Sequence, residues 1–361
     1  MKRITTSLIA LAFGLMYQFD VSAQGVTVPR PASPAAKVSQ TIGISSVTIN
    51  YSRPSVKKRE IWGSLVPYGW NVQSFGGQKE APWRAGANEN TIIELSHDAT
   101  IEGKAVPAGT YGLFFVINKD NTGEVVLSKE NQSWGSFWYD PAKDQLRAPI
   151  KIRDNAHTEM LTYDFINFDK NSAELVLNWE KKQFPVSIKF AVDDLVVANA
   201  AQELKGPTGF NWQGYASAAN YTLQNKVSMD QGLVWIDQAI AQEKRFGTMI
   251  VKAGLLKETG KAEESEKIRK EALTVAKEAE LNNYGYQLLG QNDFDKAIEV
   301  FKIATEKFPK SPNAWDSLGE GYALKGDNKN AVASFKKSLS MNPPENVKAN
   351  SEKYLKQLGA M

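Results

Sequence analysis

The sequence predicts a multidomain chain: an all-β antiparallel domain, sandwich or barrel-like, followed by an all-α domain of repeated helix pairs. Three observations carry this. Apolar and polar residues alternate from about residue 39 to 196, as in strands with one buried face. After about residue 200 the apolar period lengthens to that of a helix. Within that second stretch, groups of residues recur 34 positions apart.

The first 23 residues stand apart from both domains. Lys2 and Arg3 precede an apolar run from Ile4 to Phe19, and Val21 and Ala23 form a processing signal before Gln24. This pattern predicts a secretory signal peptide, cut after Ala23. Thr5, Thr6 and Gln18 make the run too polar for a membrane anchor. The chain has no cysteine, so disulfides, thiolate chemistry and lipid attachment to a cysteine are excluded. An exported, Cys-free protein that is not a lipoprotein fits the bacterial periplasm. A net charge of +3 over 361 residues gives no particular attraction to nucleic acid or an anionic membrane. No second apolar run is long enough to span a bilayer.

A linker is expected over 24–38, then the β domain over 39–196. In "SVTINYS", Val47, Ile49 and Tyr51 share one face. Leu175, Leu177 and Trp179 do the same in "AELVLNWE", as do Val186, Ile188 and Phe190 in "PVSIKFAV". "FFVINKDNTGEVVLS" reads as a hairpin, with Gly123 available for a left-handed turn position.

A second linker is expected over 197–211, and the helical repeat domain over 212–361. Gly285, Ala297, Phe301 and Pro309 are followed 34 residues later by Gly319, Ala331, Phe335 and Pro343. That is the length of a tetratricopeptide repeat, a unit of two helices. Small residues let paired helices cross closely, and the aromatic fills the wedge between them. Two weaker units precede these. "LLKETGKAEESEKIRKEAL" (255–273) carries a second-helix pattern, with Ser265 where alanine is usual. "QGLVWIDQAIAQEK" (231–244) follows a first helix near Trp212 to Leu223. Four helix pairs and a capping helix near Val347 to Leu358 are therefore expected.

Familiar catalytic patterns are missing. "GLLKETGK" has the wrong glycine spacing for a phosphate loop. "SVKK" (55–58) matches Ser-x-x-Lys in letters only. "NKDNTG" begins like a calcium loop, but Lys129 stands where a bidentate glutamate belongs. His97 and His157 are the only histidines and lack metal-ligand spacing, so no metal and no cofactor are expected.

What remains is a concentration of aromatics and amides in loop-like stretches. Trp62, Tyr68, Trp70, Phe75 and Trp83 lie in 59–91, and Trp134, Phe137, Trp138 and Tyr139 in 131–144. They either pin long loops as satellite cores or build a ligand platform. The candidate ligand-binding residues are Trp83, Arg84, Asn88, Glu89, Trp134 and Trp138. "WRAGANENT" (83–91) reads first as a structured turn, in which Arg84 and Glu89 are near enough to pair. A ligand clamp is the second reading and a catalytic loop the third.

These residues resemble a known group, the domain of unknown function 2911 family of exported bacterial proteins. The resemblance covers about 34–190. It rests on "VTINYSRPSVKKREIWGSLVPYG", "PWRAGANENT", "SHDATIEGKAVPAGTYGLFFV", "WGSFWYDP" and "LNWEKK". It implies no established activity, so no catalytic residue carries over, but helical repeats often follow this domain. The tetratricopeptide resemblance covers about 212–343 and implies a superhelix with a concave protein- or peptide-binding surface. Asn282 and Tyr286 on one first helix, and Asp316 and Glu320 on the next, are the candidate groove residues.

The leading expectation is thus an exported binding or scaffold protein. Its repeats would dock a protein or peptide, and its β domain would bind a glycan or envelope component. Neither nucleic acid nor a membrane span is expected. The alternative is a glycan-acting hydrolase using two carboxylates beside the aromatics, with Glu89 and Asp98 as acid and base. A third expectation makes the β domain a stalk or lid.

Overall fold

The computed structural model describes residues 32–361. The chain divides into two compact units between Phe190 and Ala191. The expected signal peptide, its cleavage after Ala23 and the linker up to residue 31 lie outside the described residues.

The first unit begins with β1 (Ala35–Ile42), β2 (Ser45–Ser52), β3 (Asn71–Val72), β4 (Glu80–Ala81), β5 (Ile92–Leu95) and β6 (Ala99–Ile101). It continues with β7 (Lys104–Val106), β8 (Gly109–Ile117), β9 (Thr122–Ser128), β10 (Asp144–Lys151), β11 (Arg153–Ile166) and β12 (Ser172–Phe190). Six strands form one sheet in the order β1-β2-β5-β8-β9-β10, and four form another in the order β11-β12-β6-β7. Every pairing between these strands is antiparallel. Neither sheet closes on itself, so the sandwich form holds and the barrel-like one does not.

The alternating faces supply the core. Val47, Ile49 and Tyr51 are buried, as are Leu175, Leu177, Trp179, Val186, Ile188 and Phe190. Tyr51 of β2 meets Tyr163 of β11 edge-on at 4.8 Å, joining the two sheets.

Two local expectations change. Strand β1 begins at Ala35, inside the stretch expected as linker. Its Lys37, Ser39 and Thr41 give little apolar signal, and its order comes from backbone pairing with β2, as in Val38 opposite Ile49. At the β8–β9 turn the left-handed position is taken by Asn121 (φ 63°). Gly123 instead pairs with Ile117 inside the ladder, where a Cβ would lie 2.2 Å from the Val116 carbonyl oxygen. It is needed for close approach, which a turn pattern does not reveal.

The second unit opens with α1 (Val192–Glu203), α2 (Trp212–Asn225), α3 (Met229–Gln242), α4 (Phe246–Glu258) and α5 (Ala262–Val275). It ends with α6 (Glu278–Gly290), α7 (Phe294–Lys307), α8 (Pro312–Lys325), α9 (Asn328–Leu339) and α10 (Glu345–Gln357). Helices α2 to α9 are the four expected pairs, and α10 follows them as the capping helix. Helix α1 runs into the stretch expected as the second linker, as far as Glu203. It has no clear apolar stripe, but Val197 and Ala200 pack on the cluster around Trp235 and Ile236. Within 255–273 the second helix is α5, which begins at Ala262 after a break at Gly260 (φ 81°).

The 34-residue period has a direct physical basis. A Cβ on Gly285 would lie 2.3 Å from the ring of Phe301, and one on Gly319 would lie 2.8 Å from the ring of Phe335. Both rings are fully buried. Asp293 and Asp327 cap α7 and α9 alike, accepting from the amides of Lys296 and Asn330. Ser265, the exception to the usual alanine, is also buried and donates to the Ala253 carbonyl at 2.6 Å. The hydroxyl is accommodated because the facing helix offers an acceptor.

Candidate functional site

In the β unit the site is built on the turn that follows Trp83. Trp83 exchanges two backbone hydrogen bonds with Phe115 of β8, at 2.8 and 2.9 Å. Its indole stacks on Trp179 at 5.7 Å and meets Trp62 edge-on at the same separation. The chain then turns through left-handed Ala85 (φ 52°) and Asn88 (φ 62°). A buried left-handed alanine costs about 1–3 kcal/mol and persists only when held. Here the Ala85 carbonyl accepts from both Tyr163, at 2.9 Å, and Thr91, at 3.1 Å. At Gly86 a Cβ would strike the Thr91 hydroxyl at 2.6 Å.

Arg84 leaves this turn toward the 131–140 loop. Its Nη1 donates to the Asn88 carbonyl at 2.6 Å, and its guanidinium lies 4.9 Å from the centre of the Phe137 ring. It fits because residue 135 is glycine in a left-handed conformation, where a Cβ would fall 2.1 Å from the arginine Cζ. The pairing of Arg84 with Glu89 is not made: the geometry of the turn sends the guanidinium to a backbone carbonyl and an aromatic face.

Beside this turn is an open cleft of about 570 Å³. Trp83, Arg84 and Asn88 line it, together with Arg59, Asn71 and Gln73. Trp179 lines it as well and is 1% exposed. Of the other sequence candidates, Glu89 is exposed and borders a separate depression with β1 and β2. Trp138 is half-exposed and belongs to an edge-to-face trio with Phe75 and Phe137. Trp134 is likewise half-exposed. Neither tryptophan lines the cleft. Asp98 accepts from the Ala108 amide at 2.7 Å and is not among the residues lining the depression beside Glu89.

In the helical unit the four groove candidates do come together. Tyr286 donates to Glu320 at 3.0 Å, and Ser317 donates to Asn282 at 2.6 Å. Asn350 donates to Asp316 at 2.8 Å, and Ser351 donates to the other Asp316 oxygen. The row thus runs along α6, α8 and α10. Burial, reinforced by Glu320, holds the Asp316 carboxyl above the ordinary aspartate range, against the opposing hydrogen bonds of Ser351 and Asn350. Burial also pushes the Tyr286 hydroxyl up.

Sequence reasoning missed Arg59, Asn71, Gln73 and Trp179 at the cleft, and Asn350 and Tyr354 at the row. The last two had a signal. One more step of 34 residues leads from Asp316 to Asn350 and from Glu320 to Tyr354. Arg59, Asn71 and Gln73 share the 59–91 stretch with Trp83, whose concentration of aromatics and amides was their signal, whereas Trp179 comes from distant β12 and had none.

Among the described residues, no group of side chains is suited to hold a metal ion, and no helix is long and apolar enough to cross a membrane. No curated protein matches the chain. Several solved structures align with part of it. YrrB, a tetratricopeptide protein described as having an unusual peptide-binding site, is 15% identical; the alignment covers 45% of this chain and 84% of that one, with a TM-score of 0.27. MamA is 16% identical, over 42% of this chain and 89% of that one, with a TM-score of 0.28. Pseudomonas aeruginosa pilF is 18% identical, over 42% of this chain and 71% of that one, with a TM-score of 0.27. Scores this low carry no functional argument, and the repeat assignment rests on the sequence match and the repeated glycine–phenylalanine packing. Residues 33–188 match the family described as protein of unknown function (DUF2911), and residues 312–345 match the tetratricopeptide repeat.

Proposed function

We propose that the protein is an exported docking protein whose helical repeats receive a segment of another polypeptide along α6, α8 and α10. The supporting observation is the register of the polar row. Asn282, Asp316 and Asn350 occupy one position in three successive units, and Tyr286, Glu320 and Tyr354 another. A repeat array stacks equivalent side chains into a continuous surface, which suits an extended polypeptide better than a compact small molecule. The mutual hydrogen bonds pre-organise the row, so little side-chain order remains to be lost on docking.

The test is capture of polypeptides from a cell-envelope extract by the full chain and by a Glu320→Lys variant whose melting temperature is close to that of the wild type. A partner recovered by the wild type and lost in the variant supports the proposal. Equal recovery by both removes the row from the argument.

A further inference from the structure

The cleft in the β unit has a charge pattern that the docking role of the repeats does not explain. Two arginines, Arg59 and Arg84, line it, and among the described residues no carboxylate does. Arg59 is exposed and donates to the carbonyls of Ser55 and Val56 in its own loop, with Glu159 near enough to feel its charge. Arg84 differs. Its partners are a backbone carbonyl and the Phe137 ring, and among the described residues it forms no ion pair. Burial of the guanidinium depresses its proton affinity, with no anion among the described residues to compensate. A desolvated cation without a counter-charge is a standing cost.

The structure nonetheless holds Arg84 in place. Gly135 makes room for the guanidinium, Asn88 accepts from it, and left-handed Ala85 and Asn88 shape the turn that carries it. Trp179 lies behind the cleft wall. The indole nitrogen of Trp179 is buried and has no acceptor among the described residues. Amide side chains from Asn71, Gln73 and Asn88, each donating to a backbone carbonyl, complete a polar lining. At about 570 Å³ the space lies within the usual range for small-ligand sites, roughly 300–1,000 Å³.

We infer that this cleft binds a small carboxylate-bearing ligand, with the Arg84 guanidinium as its counter-charge and the amide side chains meeting its polar body. Arginine suits the task because its planar fork matches the two oxygens of a carboxylate. Two carriers present such a carboxylate, an acidic sugar and the free C-terminus of a short peptide. The inference stands independently of the repeats, which lie in the other unit.

The test is calorimetric titration of the full chain with two pairs of probes: digalacturonic acid against its dimethyl ester, and Ala-Ala against Ala-Ala-amide. At least one acid should bind saturably, and its neutral counterpart should bind at least about tenfold more weakly, as expected for losing a charge-assisted hydrogen bond. The pair that discriminates identifies the carrier. Arg84→Met should weaken the acid by a similar factor, and Arg84→Lys should retain part of the binding. Should Arg84→Met fail to fold, the wild-type comparison of acid with neutral probe decides alone. The inference is overturned if neither acid binds saturably at millimolar concentration, if acid and neutral probe bind equally, or if a folded Arg84→Met binds as the wild type does.

Discussion

Gly319 of α8 lies directly against the ring of Phe335 of α9, so closely that a single added methyl group would sit 2.8 Å from the ring. The same contact recurs one unit earlier between Gly285 and Phe301, so a single steric relationship spaces two successive helix pairs.

Replacing Gly319 by alanine should therefore destabilise the helical unit, against the ordinary trend. In an exposed helix interior the change gains up to about 1 kcal/mol from helix propensity. Overpacking a filled core costs about 1–3 kcal/mol, and the Phe335 ring is fully buried. A net loss of about 1–2 kcal/mol is expected in urea unfolding. Gly290, exposed at the end of α6 with nothing within 4 Å of its Cβ position, is the control. Gly290→Ala should be neutral or stabilising by about 0.5 kcal/mol. Equal effects at both positions would show that the wedge does not set the spacing.

Asp316 predicts a pH dependence. Its folded proton affinity is raised by burial, with Glu320 adding to the effect. The folded state therefore holds this proton to higher pH than the unfolded chain does. The associated stability is fully present at acid pH and is lost as pH rises from the unfolded value through the folded one. Asp316→Asn does not titrate. The melting temperature of the wild type relative to this variant should thus fall as pH rises above the unfolded aspartate value, about 4. A difference independent of pH would mean that Asp316 is ionised as readily in the folded state as in water.

Trp83 anchors the aromatic cluster of the β unit through Trp179, Trp62 and Phe184. Truncating a buried tryptophan costs roughly 3–5 kcal/mol. Trp83 retains some exposed surface, so Trp83→Ala should fall near about 3 kcal/mol and lower the melting transition by several degrees. Calorimetry of the full chain would measure this, and an unchanged transition would assign the indole to ligand contact rather than to packing.

The basic start, apolar run and small residues before Gln24 predict processing on export. N-terminal sequencing of the secreted protein should begin at Gln24. Recovery of an intact Met1 terminus from the exported fraction would contradict it.

The division of labour between sequence and fold is visible in particular residues. Local periodicity was enough to place Val47, Ile49 and Tyr51 on one buried face, because side chains on a strand alternate and a buried face must be apolar throughout. The 34-residue recurrence was enough to pair the helices, because a repeat presents the same steric problem at each step. It also located the row through Asn282, Tyr286, Asp316 and Glu320, since equal positions in stacked units must fall side by side.

Periodicity says nothing about which distant segments meet. Strand β1 and helix α1 have little apolar pattern of their own and are ordered by β2 and by the Trp235 cluster. "WRAGANENT" named Arg84 but gave no hint that its guanidinium would turn from Glu89 to a carbonyl and an aromatic ring. That outcome depends on Gly135, fifty-one positions away, where any side chain would occupy the space the guanidinium fills. The sequence by itself determined the two architectures and the repeated surface, because these follow from local spacing. Tertiary structure alone decided the cleft and its unpaired charge, because burial and ion pairing depend on which surfaces the folded chain brings together.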